Sequence, residues 1–404
     1  MPGFFAGSAL QRAEGEHVRG LPKCGLCRFA TGGCETPRMP PGGTGANGVM
    51  IVAEHPSEAD DRRGRHFVGS QSAILREAVE DLGEDLGECR LTYAMICRPP
   101  KGRPWEDKNV AACRPALLQA IHDAKPKVVV LLGPAAARSL IPTERGGSVG
   151  THERWVGMAI PSATHGAWLC PTWSPAQLAR FGDEPLMLRF WREHLRRAFA
   201  LRAKPPAGMT MPELWGQCEP ILSAAEGRRR LRALAEKSGL LAYDYETNCL
   251  KPDSARAELW AASFCLEGEP AFAVMLRGEP RTRALLRPIL RSPRLRLCGC
   301  NIKFESRWTR TKLGYWPRRE EFDTLLGAHY LDNRGKISSI KFQAFVRLGV
   351  PDYDRYVEQF LEPGEDGFNR IHELDPKDLL SYNAADSLLE VRVARQMMGE
   401  LGIK

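Results

Sequence analysis

Four cysteines do most to restrict how this chain can fold. Cys24-Gly25-Leu26-Cys27 is a pair of thiols with a two-residue gap, and Cys97 and Cys113 stand far downstream. A tight turn across the gap lets both sulfurs of the first pair point at one ion. The later two sit in Cys97-Arg98-Pro99-Pro100 and Ala112-Cys113-Arg114-Pro115. The chain has twelve cysteines and no apolar signal core at its N-terminus, which argues for metal rather than a disulfide framework. Four soft ligands suit either a structural zinc or a four-iron, four-sulfur cluster, and thiolate chemistry alone does not choose between them. Cys34, Cys89 and Cys170 are expected to be ordinary buried thiols.

Between and around these cysteines, strand and helix signals alternate. The pattern predicts strands at 49–53, 91–96 and 127–132, and helices at 70–82, about 107–123 and 134–140. Such alternation suggests a three-layer α/β domain with a mostly parallel sheet.

The cysteine order resembles the iron–sulfur uracil-DNA glycosylases (family four), and the resemblance selects a 4Fe-4S cluster on Cys24, Cys27, Cys97 and Cys113. Val52-Ala53-Glu54-His55-Pro56 stands for that family's first pocket loop, and Gly64-Arg65-His66-Phe67-Val68-Gly69 for its second. The resemblance covers roughly residues 20–195. It implies a glycosylase-like pocket of Glu54, His55, Phe67, Tyr93 and His165, with Phe67 stacking on a base and His165 donating to an oxyanion. Ala53 and Ser57 replace two glycines of the first loop. Tyr93 falls where the family has an Asn that reads the uracil edge. A phenol cannot present an amide's paired donor and acceptor, so uracil excision should suffer heavily. These departures favour a domain that binds DNA or a partner over an active glycosylase.

The length of 404 residues suggests two or three domains. A net charge of +8, mostly arginine, makes an acidic polymer a plausible partner. The longest apolar runs are far too short to span a bilayer, and a cytoplasmic protein with no membrane partner is expected. Residues 1–20 are expected as a mobile lead-in and 21–202 as the first domain. That domain would close on a basic helix at 186–202. Lys204-Pro205-Pro206-Ala207-Gly208 breaks any helix, so 203–218 is expected as a linker. A helix at 220–237 then opens a second domain over 219–404, its Arg228, Arg229, Arg230 and Arg232 able to follow a phosphate backbone.

In that second domain, apolar residues 240–243 lead into Asp244-Tyr245-Glu246. Read as a strand, period two puts Asp244 and Glu246 on one face and Tyr243 and Tyr245 on the other. Neighbouring acids at a buried strand repel each other and become favourable with a divalent cation between them. A hairpin signal follows at 258–276 around Glu267-Gly268-Glu269-Pro270, then a short strand at 295–300. Phe322–Tyr330 reads as a helix start. On a late helix, Tyr382 and Asp386 are four apart and share a face.

Asp-x-Glu on a strand, Asn301-Ile302-Lys303-Phe304-Glu305, and Tyr-x3-Asp on a late helix together resemble the DEDD 3′→5′ proofreading exonuclease domain of bacterial DNA polymerase I. The resemblance implies a ribonuclease-H-like domain with a mixed sheet. Asp244, Glu246 and Asp386 would hold two Mg2+ or Mn2+ ions, Glu305 would support the second, and Tyr382 would orient the attacking water. Thr247, Leu250 and Asn301 would line the channel for the terminal nucleotides. Glu305 departs from the family's usual Asp by one methylene. The implied substrate is single-stranded or frayed 3′ DNA ends. The fusion resembles the front end of some phage-type family A polymerases, in the cytoplasm of a bacterial or phage-infected cell. The last motif falls near the end of the sequence, so a separately encoded DNA polymerase is the expected partner. The alternative is a bifunctional repair enzyme that excises uracil and trims 3′ ends.

Overall fold

The computed structural model describes residues 19–147, 149–182 and 184–403, so the expected lead-in falls almost wholly outside the described residues. Apolar, largely β-branched runs form the central strands of the first sheet. Val49–Ala53 (β1), Arg90–Tyr93 (β2), Val128–Leu132 (β3), Ile160–Ser162 (β4) and Ala167–Thr172 (β5) pair in the order β2-β1-β3-β5-β4. All neighbours are parallel except β4 and β5. β1 and β3 are buried at every position, the pattern of strands covered on both faces.

Strand β2 is shorter than the expected 91–96. After Tyr93 the backbone still bonds to Ala53 and Glu54 through the Ala94 and Met95 amides, then leaves the sheet toward Cys97. The helix expected at 70–82 begins as a 3₁₀ turn, Ser70–Ser72, and continues as Ala73–Glu80. The helix expected to stop at 140 runs on over Pro134–Arg145 despite Pro142. That proline removes the donor for the Arg138 carbonyl. Arg114 supplies a replacement, donating from Nη2 to Arg138 O at 3.2 Å and from Nε to Ser139 O at 2.8 Å. A basic helix does occupy Pro185–Leu201.

The chain divides into two compact units, one running to Gly208 together with Val346–Pro351, the other Met209–Phe345 with Asp352 onward. Residues 203–218 are not simply a linker. Thr210 and Glu213 form a capping box that starts a short helix, Met211–Trp215, and a strand begins at Cys218. Thr-x-x-Glu was a legible start signal that the preceding prolines obscured.

The second sheet comprises Cys218–Ile221 (β6), Gly239–Thr247 (β7), Leu259–Leu266 (β8), Ala271–Met275 (β9), Leu295–Gly299 (β10) and Glu320–Asp323 (β11). Their order is β11-β10-β7-β8-β9-β6. β7, β8 and β9 form an antiparallel meander, while β10, β11 and β6 add parallel neighbours. β6 takes the start of the expected 220–237 helix, which is confined to Ala224–Ala235. Phe322 and Asp323 end β11, and Asp323 then caps the helix Thr324–Leu331. A 25-residue helix, Pro376–Glu400, packs on the sheet and buries most of its length. Among the described residues, no helix is long and apolar enough to cross a membrane.

Candidate active site

The alternation of β7 places the chemistry of the second unit. Tyr243 and Tyr245 face the core with rings 5.7 Å apart in an edge contact, and the Tyr245 hydroxyl pairs with Thr309 Oγ1 at 3.0 Å. Asp244 and Glu246 therefore face the other way, toward the long helix. A register shift against β8 falls between Glu246 and Thr247, where a bulge re-aims the strand end.

The helix Pro376–Glu400 meets these acids with Asp386, and one carboxylate oxygen from each of Asp244, Glu246 and Asp386 lies within 4.8 Å of the others. Glu246 and Asp386 are buried, and Asp244 is partly exposed at the mouth. Burial pushes the Asp244 carboxyl well above its ordinary range, and the neighbouring Asp386 adds to the shift. Glu246 moves the same way through burial, then Asp244 and Asp386. Asp386 is raised by burial and drawn back by the Lys341 ammonium and tyrosine hydrogen bonds.

The surroundings fix these acids in place. Asn383 donates from Nδ2 to Asp244 Oδ2 at 2.6 Å. The Tyr353 hydroxyl donates to Asp386 Oδ1, and the Tyr353 and Tyr382 rings stand 5.9 Å apart. Lys341 Nζ lies 2.6 Å from Asp354 Oδ2 and 5.5 Å from the centre of the Tyr382 ring. Two further acids are buried behind the cage. Glu305 and Glu390 are 3% and 2% exposed, and each leaves its Oε2 without a hydrogen-bond partner among the described residues. An orphaned buried carboxylate oxygen is costly unless a cation or water reaches it. Glu390 Oε1 accepts from the Cys300 amide at 3.1 Å. The donor set is thus all oxygen, which suits Mg2+ or Mn2+.

Of the residues expected to line a channel, Leu250 is 70% exposed beside the strand end. Thr247 does not present its hydroxyl: it is buried and donates to the Cys249 carbonyl at 2.8 Å, satisfied within its own turn. Asn301 adopts a left-handed backbone, φ 61°, clamped by Asp323, whose two oxygens accept from the Asn301 and Ile302 amides at 2.9 and 3.2 Å. Strain held by such over-determination is common where a chain must present a side chain in one pose.

In the first unit, Cys24 and Cys27 occupy a one-turn helix, Cys97 follows β2, and Cys113 lies in the helix Asp107–Ala124. The Arg38 amide donates to Cys97 Sγ at 3.2 Å, and Asn109 Nδ2 lies 3.6 Å from Cys27 Sγ. Burial, with the nearby thiols adding, lifts the thiol of Cys97 to about 11 and that of Cys113 to about 12. Cys89 and Cys170 are buried as expected, but Cys34 is only half-buried. Its thiol faces Cys97 and borders a cleft lined by Glu58, Arg98 and Lys101.

The glycosylase-like pocket gathers at the C-terminal ends of the parallel strands, where open α/β sheets place ligands. Glu54 follows β1 and accepts from the Ala135 amide at 3.2 Å, at the start of the helix Pro134–Arg145. Burial raises its carboxyl. Gly133, at φ +91°, permits this approach, since a Cβ there would come within 2.8 Å of the Glu54 carboxyl carbon. His55 is held below its usual range by burial, with Nδ1 3.1 Å from the Pro56 carbonyl. Phe67 sits at φ 53°, its ring 5.6 Å from that of Tyr93. Tyr93 is 1% exposed, stacks on His66 at 5.0 Å, and donates to Asp60 Oδ2 at 3.1 Å.

His165 does not join this group. β5 runs parallel to β3 with Val128 opposite Trp168 and Leu132 opposite Thr172. His165 precedes β5, so a strand's length, on the order of 20 Å, separates it from the end where Glu54 sits. There its Nε2 lies 3.3 Å from Glu144, and its amide donates to Ser162 Oγ. A His near a match in sequence can still fall at the wrong end of a strand. Ser174, which follows β5 and assists Glu54, stands at the right end and went unmarked.

Asn383, Lys341, Tyr353 and Glu390 were also missed. Glu390 continues the four-residue spacing of Tyr382 and Asp386 and was legible. Lys341 and Tyr353 reach the site only through tertiary packing.

Residues 41–196, within the first unit, match the family model of the uracil DNA glycosylase superfamily. A type-4 uracil-DNA glycosylase of Pyrobaculum aerophilum is 35% identical over 126 residues, 31% of this chain and 62% of that protein. One from Sulfurisphaera tokodaii is 34% identical over 119 residues, 29% of this chain and 52% of that protein. The chain therefore spans less than two thirds of either relative. Among solved structures, an RNase D–GMP complex of Trypanosoma brucei covers 46% of this chain and 58% of its own, with 13% identity and a TM-score of 0.36.

Proposed function

We propose that the second unit is a metal-dependent 3′→5′ DNA exonuclease acting on single-stranded or frayed ends. The observation that carries this is the convergence of Asp244, Glu246 and Asp386 oxygens within 4.8 Å, from strand and helix far apart in sequence. Two divalent ions bound there would supply charge neutralisation at the phosphodiester and acidify a water. The chain's own groups do the positioning. Asn383 fixes the Asp244 carboxylate, Tyr382 orients the attacking water, and Glu305 supports the cage from behind. Leu250 and Asn301 guide the terminal nucleotides, which must be splayed to enter. Proofreading beside a separately encoded DNA polymerase is the role that suits such an activity.

The first unit, in this reading, holds a four-iron, four-sulfur cluster on Cys24, Cys27, Cys97 and Cys113 and binds DNA without excising uracil. The four thiols lie close enough to act on one another, since Cys24 and Cys27 both raise the thiols of Cys97 and Cys113. Such a cluster would tie the N-terminal turn to the sheet. Tyr93 stands where the resemblance expects a uracil-reading Asn, and its buried phenol donates to Asp60, which disfavours the bifunctional repair enzyme.

The test is direct. With Mg2+ or Mn2+, the full chain should shorten a 5′-labelled single strand from its 3′ end, and Asp244→Ala should abolish this. An intact strand with either ion would end the proposal. In EDTA, a uracil-containing strand incubated with the chain and then treated with alkali should stay whole.

A further inference from the structure

We infer that Lys341 is a positioning residue of the carboxylate cage, a built-in third cation that weakens divalent-ion binding while holding Tyr382 for attack. This rests on the exonuclease reading. The Lys341 side chain is 30% exposed, and two contacts hold its ammonium at the site: Asp354 Oδ2 grips it at 2.6 Å and the Tyr382 ring lies 5.5 Å away. The Tyr353 hydroxyl, whose ring stands 5.9 Å from that of Tyr382, donates to Asp386. Asp354 itself is buried, so the ammonium has a fixed anchor rather than a free swing through solvent. Its attraction reaches Asp386, Asp244 and Glu246 alike.

Two effects follow from that placement. A fixed positive charge beside three carboxylates lowers the field any incoming divalent ion meets, so affinity is weaker than the acids alone would give. The same charge over the face of Tyr382 restrains the ring by a cation–π contact. Metal affinity and turnover are therefore set against each other by one side chain.

The experiment measures Mn2+ binding to the full chain by calorimetry, without DNA, beside single-turnover trimming of an oligonucleotide. In Lys341→Met, Mn2+ should bind about tenfold more tightly, the size expected for removing a charge several ångströms from a divalent ion. Trimming should slow about 10- to 100-fold with little change in KM. Lys341→Arg should restore most of both. In EDTA the Met variant should melt at lower temperature than wild type, and Mn2+ should raise it by more. A merely structural lysine would weaken binding and turnover together, and that result, or no change in either, overturns the inference. Should the Met variant fail to fold, Lys341→Gln carries the same two readouts. Wild type that neither binds Mn2+ nor trims would instead overturn the exonuclease reading itself.

Discussion

Asn383 and Asp244 meet through a 2.6 Å hydrogen bond that joins the long helix to the central strand. The amide is fully buried. Asn383→Leu keeps the volume and removes the donor. Partners that orient a metal-binding carboxylate typically matter 10- to 100-fold in affinity or activity. We expect trimming to fall by about that factor, with secondary structure unchanged by circular dichroism.

Metal-free stability should depend on pH with a specific sign. Asp244, Glu246, Glu305 and Glu390 all sit above their ordinary range because of burial and mutual repulsion. Groups raised in the folded state bind more protons folded than unfolded, so their stabilising effect is complete below the usual carboxylate pKa of about 4 and is lost as pH rises past the raised values. In EDTA the melting temperature should therefore fall as pH climbs from mildly acidic to alkaline. Saturating Mn2+ should flatten that slope, since binding releases the protons.

Tyr93 is a test of the first unit's packing. Tyr93→Phe removes one of several donors to Asp60, which also accepts from the Ser57 and Val68 amides. A cost of about 1 kcal/mol in urea unfolding is expected. Tyr93→Ala should cost about 3–5 kcal/mol, as for other buried aromatics. Restored uracil excision by Tyr93→Asn would identify a lapsed glycosylase.

The cysteines should separate cleanly. Cys97→Ser and Cys113→Ser should each lose the brown chromophore and bound iron on anaerobic purification. Cys34→Ser should keep both, because Cys34 lies beside the centre and not within it. A colourless wild type containing zinc would refute the cluster.

Much of this was legible before any coordinates. The acids of β7, the Tyr-x3-Asp helix and the four cysteines are local patterns whose periodicity fixes direction, and their faces follow from pitch and pleat. Tyr93 was singled out from its position alone, and it is buried beside Phe67 and His66. His165 was misplaced because proximity to a motif says nothing about which end of a strand a residue occupies. The Thr247 hydroxyl is captured by the Cys249 carbonyl, a local bond that residue type near a turn favours but does not specify. Lys341 and Tyr353 carry no local signal, since only tertiary packing within the second unit brings them to Asp386.

The helix Pro376–Glu400 closes the second unit's core and also bears Tyr382, Asn383, Asp386 and Glu390, while Ser387 bonds to Ser263 of β8 at 2.6 Å. The proposed active site and the unit's structural integrity are therefore entrusted to the same two dozen peptide groups. Evolution could not silence this site by letting the helix fray; it could only do so by swapping side chains upon an intact rod.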